Sequence, residues 1–268
     1  MPDGAVDVLS NRSRISGGSR LPDQVSIDFG PPELLGPAFL QLDRAAREQG
    51  IYLSISHDLD ELMDVNIQHR KHWYPLAPMF DSSLGGITGE NGFWLRGVDD
   101  AGRVVATQAA RLYFWPDTSF ADEWEDLRFI YPDPSAQARP DEYCTADCAT
   151  ATKLSGRVCH TGALWLHPDR RGGVVTSILP RVTRAYALTR WYPEFTFGLA
   201  KVRPSVNARN VKRLYGWSNV DKSVKWYNTP HYGDLDFAIV SMATGEVLAD
   251  LAEFKPQAGL HAAHQEAA

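Results

Sequence analysis

The chain reads as a mixed α/β domain, and three observations predict it. Apolar residues switch repeatedly between helical spacing and strand-like alternation along the sequence. Two alternating runs, Gly92–Val98 and Arg103–Tyr113, are joined through Asp99-Asp100-Ala101-Gly102, a composition suited to a tight hairpin. A third apolar run ends at Leu164-Trp-Leu-His-Pro and passes through Asp-Arg-Arg-Gly-Gly into a further apolar-periodic stretch at Val174 and Val175. That last pattern is a strand, a turn and a helix start.

The elements follow in order. Pro31 and Pro32 precede a helix over Glu33–Gln49, with Leu34, Leu35, Phe39, Leu42 and Ala46 at helical spacing and Gly50 placed to cap it. Ile51–Ser56 alternates as a strand. Asp58 followed by Glu61 opens a second helix with a capping-box pattern, and Leu59, Leu62, Met63 and Ile67 form its stripe. Pro75, Pro78 and Gly85-Gly86 interrupt before the hairpin. Phe114–Thr152 reads as an irregular insertion, rich in Asp and Glu between Asp117 and Glu142. Gly156–Leu166 is a strand, Ser177–Arg190 a helix, Phe195–Val202 a strand, Ser205–Tyr215 a short helix and Asp236–Met242 a closing strand. Pro180 is best tolerated in a first helical turn, which sets the start of its helix near Ser177. The division expected is a loose N-terminus with an extra helix over 1–50, one domain over 51–253 with its insertion at about 114–155, and a loose tail over 254–268.

Composition excludes several classes. The 268 residues carry 27 Lys and Arg against 33 Asp and Glu, a net charge of −6, which argues against a nucleic-acid binder. No apolar run approaches the ~20 residues that a membrane span needs. Met1–Arg20 lacks the apolar segment of a secretory signal, so a cytoplasmic setting is expected. Three cysteines do not make a disulfide framework. Cys144, Cys148, Cys159 and His160 are zinc-ligand types. Adjacent Cys159 and His160 on a strand face opposite sides, however, so buried thiols are expected and no metal.

The turn at His167–Val174 is the chief functional candidate. A helix N-terminus presents unpaired N–H groups and partial positive charge, Gly172 and Gly173 let backbone approach an anion, and Arg170 and Arg171 add charged donors. Such a turn can seat a phosphate; it also has the composition of an ordinary surface turn.

This arrangement resembles the GNAT acetyltransferase superfamily. The family's main signature is a strand ending near Val-x-Pro, then (Arg/Gln)-x-x-Gly-x-(Gly/Ala) opening a helix. Leu166-His167-Pro168 is similar to the strand end, and Arg170-Arg171-Gly172-Gly173-Val174-Val175 to the loop, with Val175 departing from the final Gly or Ala. A second signature, Asn-x-x-Ala-x-x-Leu-Tyr before Gly-Phe, is similar to Asn207-Ala-Arg-Asn210-Val-Lys-Arg-Leu214-Tyr215-Gly216-Trp217, with Asn207 one residue farther out.

The resemblance, over about Ile51–Met242, implies a mostly antiparallel mixed sheet with helices on both faces; the residues add an N-terminal helical extension and a long acidic insertion between the third and fourth strands. It implies an N-acyltransferase that takes acetyl-CoA or another acyl-CoA as co-substrate. The pantetheine would lie between splayed parallel strands Gly162–Leu166 and Phe195–Lys201. The donor-binding residues carried over are Leu164, Trp165, Leu166, Arg170, Arg171, Gly172, Gly173, Val174, Asn207 and Asn210. A backbone N–H near Leu164 or Trp165 would face the oxyanion, Tyr215 would be the general acid, and His160 is a candidate base. The acceptor expected is the amine of a small, amino-acid-like or cationic metabolite, with Trp115, Trp124 and the acidic insertion as a candidate lining for a cation. One alternative is an N-acyl amino acid synthase fed by acyl carrier protein, docked on a basic patch of Arg170, Arg171, Arg181 and Arg184. Another is a non-catalytic acyl-CoA-binding regulatory protein.

Overall fold

The computed structural model describes residues 20–203 and 206–256. The expected loose N-terminus over Met1–Ser19, and the tail from 257 onward, lie outside the described residues.

Helix α1 (Pro32–Arg47) begins on Pro32 and buries Leu35, Phe39, Leu42 and Ala46 of the stripe read from its spacing, while Leu34 is only partly covered. Gly50 follows at φ +68°, a left-handed turn that glycine adopts without Cβ strain. Strand β1 (Tyr52–Ser56) leads to α2 (Leu59–Gln68), whose N-cap Asp58 accepts from Glu61 N. The Glu61 carboxylate does not complete a capping box; it binds Ser56 Oγ and Arg96. The buried line of α2 is Leu59, Leu62, Val65 and Asn66, which turns Ile67 outward against the expected stripe. Asn66 is buried because its carboxamide binds Tyr74 O and Leu76 N.

Strands β2 (Gly92–Val98) and β3 (Val104–Trp115) form the predicted hairpin, where Asp99 accepts from Ala101 N and Arg103 N. The insertion then departs from the irregular segment expected. It contains α3 (Phe120–Glu125), α4 (Pro134–Gln137), β4 (Tyr143–Ala146) and α5 (Ala149–Lys153). Its acidic residues have local work: Ser119 and Asp122 form a reciprocal cap, Glu123 pairs with Arg128, and Glu142 accepts from Tyr131 and Trp226. Trp115 and Trp124 are buried among Phe120 and Phe129, so they line no acceptor cleft; Trp124 Nε1 donates to Thr145 O and Lys225 O.

Strand β5 (Gly156–Leu166) coincides with its expected span. Helix α6 (Val175–Trp191) starts two residues earlier than expected, because Ser177 N and Ile178 N both bond Val174 O. Pro180 therefore sits in the interior, where it removes one helical donor. There follow β6 (Phe195–Lys201), α7 (Ala208–Tyr215), β7 (Asn219–Thr229), β8 (Gly233–Ala243) and α8 (Thr244–Glu253). The eight strands form one sheet in the order β1-β2-β3-β5-β6-β8-β7-β4, antiparallel except at β5–β6. The inserted β4 closes the edge beyond β7.

Two apolar cores lie on the two sides of this sheet. One joins α1, α6 and α8 through Leu35, Phe39, Ile178, Leu179, Val182, Val247 and Leu251. The other joins α2, α3 and α5 through Leu62, Phe120, Trp124 and Ala151. The sheet is thus covered on both faces, and each wholly buried Leu or Phe contributes about 1.5–3 kcal/mol.

Candidate functional site

The parallel pair β5–β6 is joined only at Val158–His160 against Phe195–Phe197. Beyond that seam β5 stays paired to β3 as far as Leu166, and β6 to β8 as far as Lys201. The inner edges of the two strands therefore separate while their outer edges are held, which opens a gap between them. Unpaired strand edges of this kind accept an extended amide chain as an added strand would.

A bulge on β5 shapes that gap. The register with β3 slips between Thr107 and Ala109, and Ala163 takes φ +49°. The slip changes the side-chain alternation. His160 points into the α2-side core, a Cβ at Gly162 would meet Phe80 there, and Trp165 rather than Leu164 continues this face. Leu166 turns to the α6 side, and Leu164 is left exposed. Trp165 stacks on Trp73 with ring centroids 5.2 Å apart.

The anion turn lies at the end of β5. Pro168–Arg170 is one turn of 3-10 helix, Gly172 has φ +87°, and a Cβ at Gly172 would meet nothing within 4 Å. Val174 caps α6 with no side-chain bond, so the Val175 and Thr176 N–H groups have no acceptor among the described residues. Arg171 is committed to the turn itself: its Nε donates to Leu166 O. Arg170 makes no ion pair among the described residues, and its Nη1 is 3.8 Å from where a Gly50 Cβ would stand. The bare backbone, the free amides and Arg170 are the parts that suit a phosphate.

Asn207 is the N-cap of α7, accepting from Asn210 N at 3.0 Å. Tyr215 ends the same helix, half-buried against the α6-side core, and burial raises its phenol above the usual range. Gly216 follows at φ +78°. The helix end is fixed by buried arginines of α6: Arg184 Nη2 donates to Tyr215 O at 2.7 Å, and its guanidinium lies over Trp217 at 4.6 Å. Asp250 of α8 accepts from Arg181 at 2.8 Å and Arg184 at 3.2 Å. Arg181 is 4% exposed and Arg184 1%. The basic docking patch expected of these two is therefore absent from the surface, because both are interior struts. Burial draws the Arg184 guanidinium down to about 10.

His160 is enclosed by Phe80, Phe129 and Phe197, and burial, aided by Arg111, pushes its imidazole down to about 3. A ring so reluctant to take a proton is a poor base at neutral pH. Cys159 points to the opposite core, and burial raises its thiol. Among the described residues no group of three His, Cys, Asp or Glu is placed to hold a metal ion. No described helix is long and apolar enough to cross a membrane. Sequence reasoning missed Arg111, buried on β3 beside His160; its signal was a lone charge in the run Val104–Trp115.

Comparison with solved structures finds acetyltransferases. NAA60 of Arabidopsis thaliana, in complex with acetyl-CoA, is 14% identical, with 73% of this chain and 99% of that chain covered and a TM-score of 0.45. The ribosomal-protein-S5-alanine acetyltransferase of Vibrio fischeri is 12% identical over 72% and 93% of the two chains, at 0.41. A GNAT superfamily phosphinothricin acetyltransferase of Sinorhizobium meliloti, in complex with AcCoA, is 12% identical over 78% and 95%, at 0.40. No family model matches the chain, and no curated protein does. Identity and superposition at this level leave the site to be read from its own geometry.

Proposed function

We propose that this chain is a GNAT-type N-acyltransferase that moves an acetyl or other acyl group from an acyl-CoA to the amine of a small acceptor. The observation that carries the reading is the gap between β5 and β6 with a bare, amide-lined turn at its end. A pyrophosphate fits the free N–H groups at the start of α6, with Arg170 supplying charge. The pantetheine amides then pair with the inner edges of β5 and β6, which brings the thioester to the bulge at Ala163.

The reaction needs no covalent enzyme intermediate. The acceptor amine attacks the thioester carbonyl, a C–N bond forms, and a backbone N–H near Leu164 or Trp165 donates to the oxyanion. On collapse the C–S bond breaks, and Tyr215 gives its proton to the departing thiolate. Burial raises the phenol above its usual range, which keeps it protonated at neutral pH but makes it a weaker acid, so the role rests on the place of Tyr215 in the Leu214-Tyr215 signature; the phenolate then regains its proton from solvent. The proton lost by the ammonium passes to water, because His160 is held neutral.

An acyl carrier protein as donor loses its support with Arg181 and Arg184 buried. The test is a thermal-shift titration with CoA, acetyl-CoA and longer acyl-CoAs, since a ligand of the native state raises Tm by an amount that grows with the logarithm of its concentration over Kd. Acyl-CoA is expected to raise Tm in the wild type. Arg170→Ala should weaken the affinity about tenfold, as loss of one charge-assisted contact does. Tyr215→Phe should keep the shift and lose most of the turnover. Absence of any shift would refute the donor, and unchanged turnover in Tyr215→Phe would refute the acid. Binding without turnover by the wild type toward any amine would leave a non-catalytic acyl-CoA sensor.

A further inference from the structure

Two buried polar groups on the α2 side of the gap are unused by this chemistry. Arg111 on β3 and His160 on β5 are register partners, 7% and 3% exposed. Arg111 Nη1 donates to Met79 O at 2.9 Å, Nε is buried with no partner, and Nη2 donates to no acceptor among the described residues. No carboxylate pairs with it among the described residues, and its guanidinium rests over the Tyr113 ring at 4.7 Å. His160 Nδ1 is buried without a partner as well. A buried guanidinium with an unpartnered edge is costly, and that cost is relieved when an anion pairs with the edge. The insertion's acidic residues do not fill it, since Asp122, Glu123 and Glu142 are bonded elsewhere.

The shape of the empty edge identifies its partner. Nε–H and Nη2–H lie parallel along one side of a guanidinium and match the two oxygens of a single carboxylate. The position matters equally. The β5–β6 seam ends at His160 and Phe197, so the pair stands where the gap begins, on the face away from α6 and the anion turn. A thioester threaded through the gap would meet an acceptor from this side. Gly86 and Pro132 flank the approach to Nη2: a Cβ on Gly86 would lie 2.8 Å from Nη2 and 2.7 Å from Pro132 Cγ.

We infer that Arg111 binds the carboxylate of the acceptor, which makes the acceptor an amine that also carries a carboxylate, an amino acid rather than a simple cationic amine. This inference rests on the acyl-transfer reading for its geometry, and its test is separable from it. Titration calorimetry on the full chain, with and without CoA, would use α- and ω-amino acids and the carboxamide of each. At least one amino acid is expected to bind, and its carboxamide at least tenfold more weakly. Arg111→Lys keeps a donor for Met79 O but lacks the paired edge, so it should lose at least tenfold in affinity for that amino acid. Its CoA-induced rise in Tm should remain.

Equal binding of acid and amide would overturn the inference, as would equal binding by Arg111→Lys or no binding of any amino acid to a protein that binds CoA. Should Arg111→Lys fail to fold, the acid–amide comparison on the wild type decides alone. Arg111-dependent amino acid binding in a protein that ignores CoA would uphold the carboxylate site and refute acyl transfer instead.

Discussion

Replacing Asp250 by Ala removes the only carboxylate among the described residues that serves two buried arginines. Asp250 Oδ1 receives Arg181 at 2.8 Å and Oδ2 receives Arg184 at 3.2 Å. Both guanidiniums are almost wholly buried, and Arg184 already has Nε and Nη1 without partners. In Asp250→Ala two like charges would face each other with no counter-charge. Breaking a buried pair by removing one partner costs about 3–5 kcal/mol. The Asp250 side chain is 16% exposed, so water can reach the vacated place and the lower end, about 3 kcal/mol, is expected. At about 2–4 °C per kcal/mol for a chain of this size, Tm should fall by about 6–12 °C. Urea unfolding followed by circular dichroism gives the free energy directly. Asp250→Asn keeps a carbonyl acceptor and should lose less. A loss below about 1 kcal/mol in Asp250→Ala would refute the clamp, because solvent would then already be screening the arginines.

Two further outcomes follow from the opposite core. His160 titrates near 3 when folded and near its ordinary 6.5 when unfolded. Between those values the unfolded chain binds a proton that the folded chain does not, so stability is intact above pH 6.5 and falls by about 1.4 kcal/mol per unit as pH drops toward 3. His160→Phe should flatten that slope between pH 6 and 4; parallel stability curves for the two proteins would show that the ring is not held neutral. At Gly162 a Cβ would stand 2.4 Å from Phe80 Cε2, so Gly162→Ala must push Phe80 off His160. A loss of about 1–3 kcal/mol in chemical unfolding is expected, as for other overpacked sites, and a neutral effect would mean that Phe80 is free to move.

Most of the sheet was legible because its patterns are local. The stripe of α1, the Asp99–Gly102 turn and the whole of β5 state their structure in residue spacing. Strand β7 was not legible: Val224 and Trp226 are its apolar signals, and the shift between Asp221 and Val224, with Ser223 at φ +81°, breaks the alternation. The insertion misled because its acidic residues look solvated in sequence, whereas Glu142 is buried between Tyr131 of the same insertion and Trp226, 84 residues farther along the chain.

The candidate site divides the same way. The anion turn could be read from Arg, Gly and Gly in a row. The fate of Arg181 and Arg184 could not, because nothing near them announces Asp250, more than sixty residues later. Arg111 was marked only as a lone charge in an apolar run; its unpartnered edge is visible only in three dimensions.

The seam at Val158–His160 also has a mechanical meaning. Four strands stand on each side of it, β1-β2-β3-β5 and β6-β8-β7-β4, and three residue pairs are all the ladder that spans the divide. The sheet is therefore two half-sheets joined by that short ladder and by the apolar cores that span the divide on both faces. Under the proposed function, an acyl donor laid along the gap would be a missing rung as well as a reactant, and its arrival and departure would change how stiffly the halves are coupled.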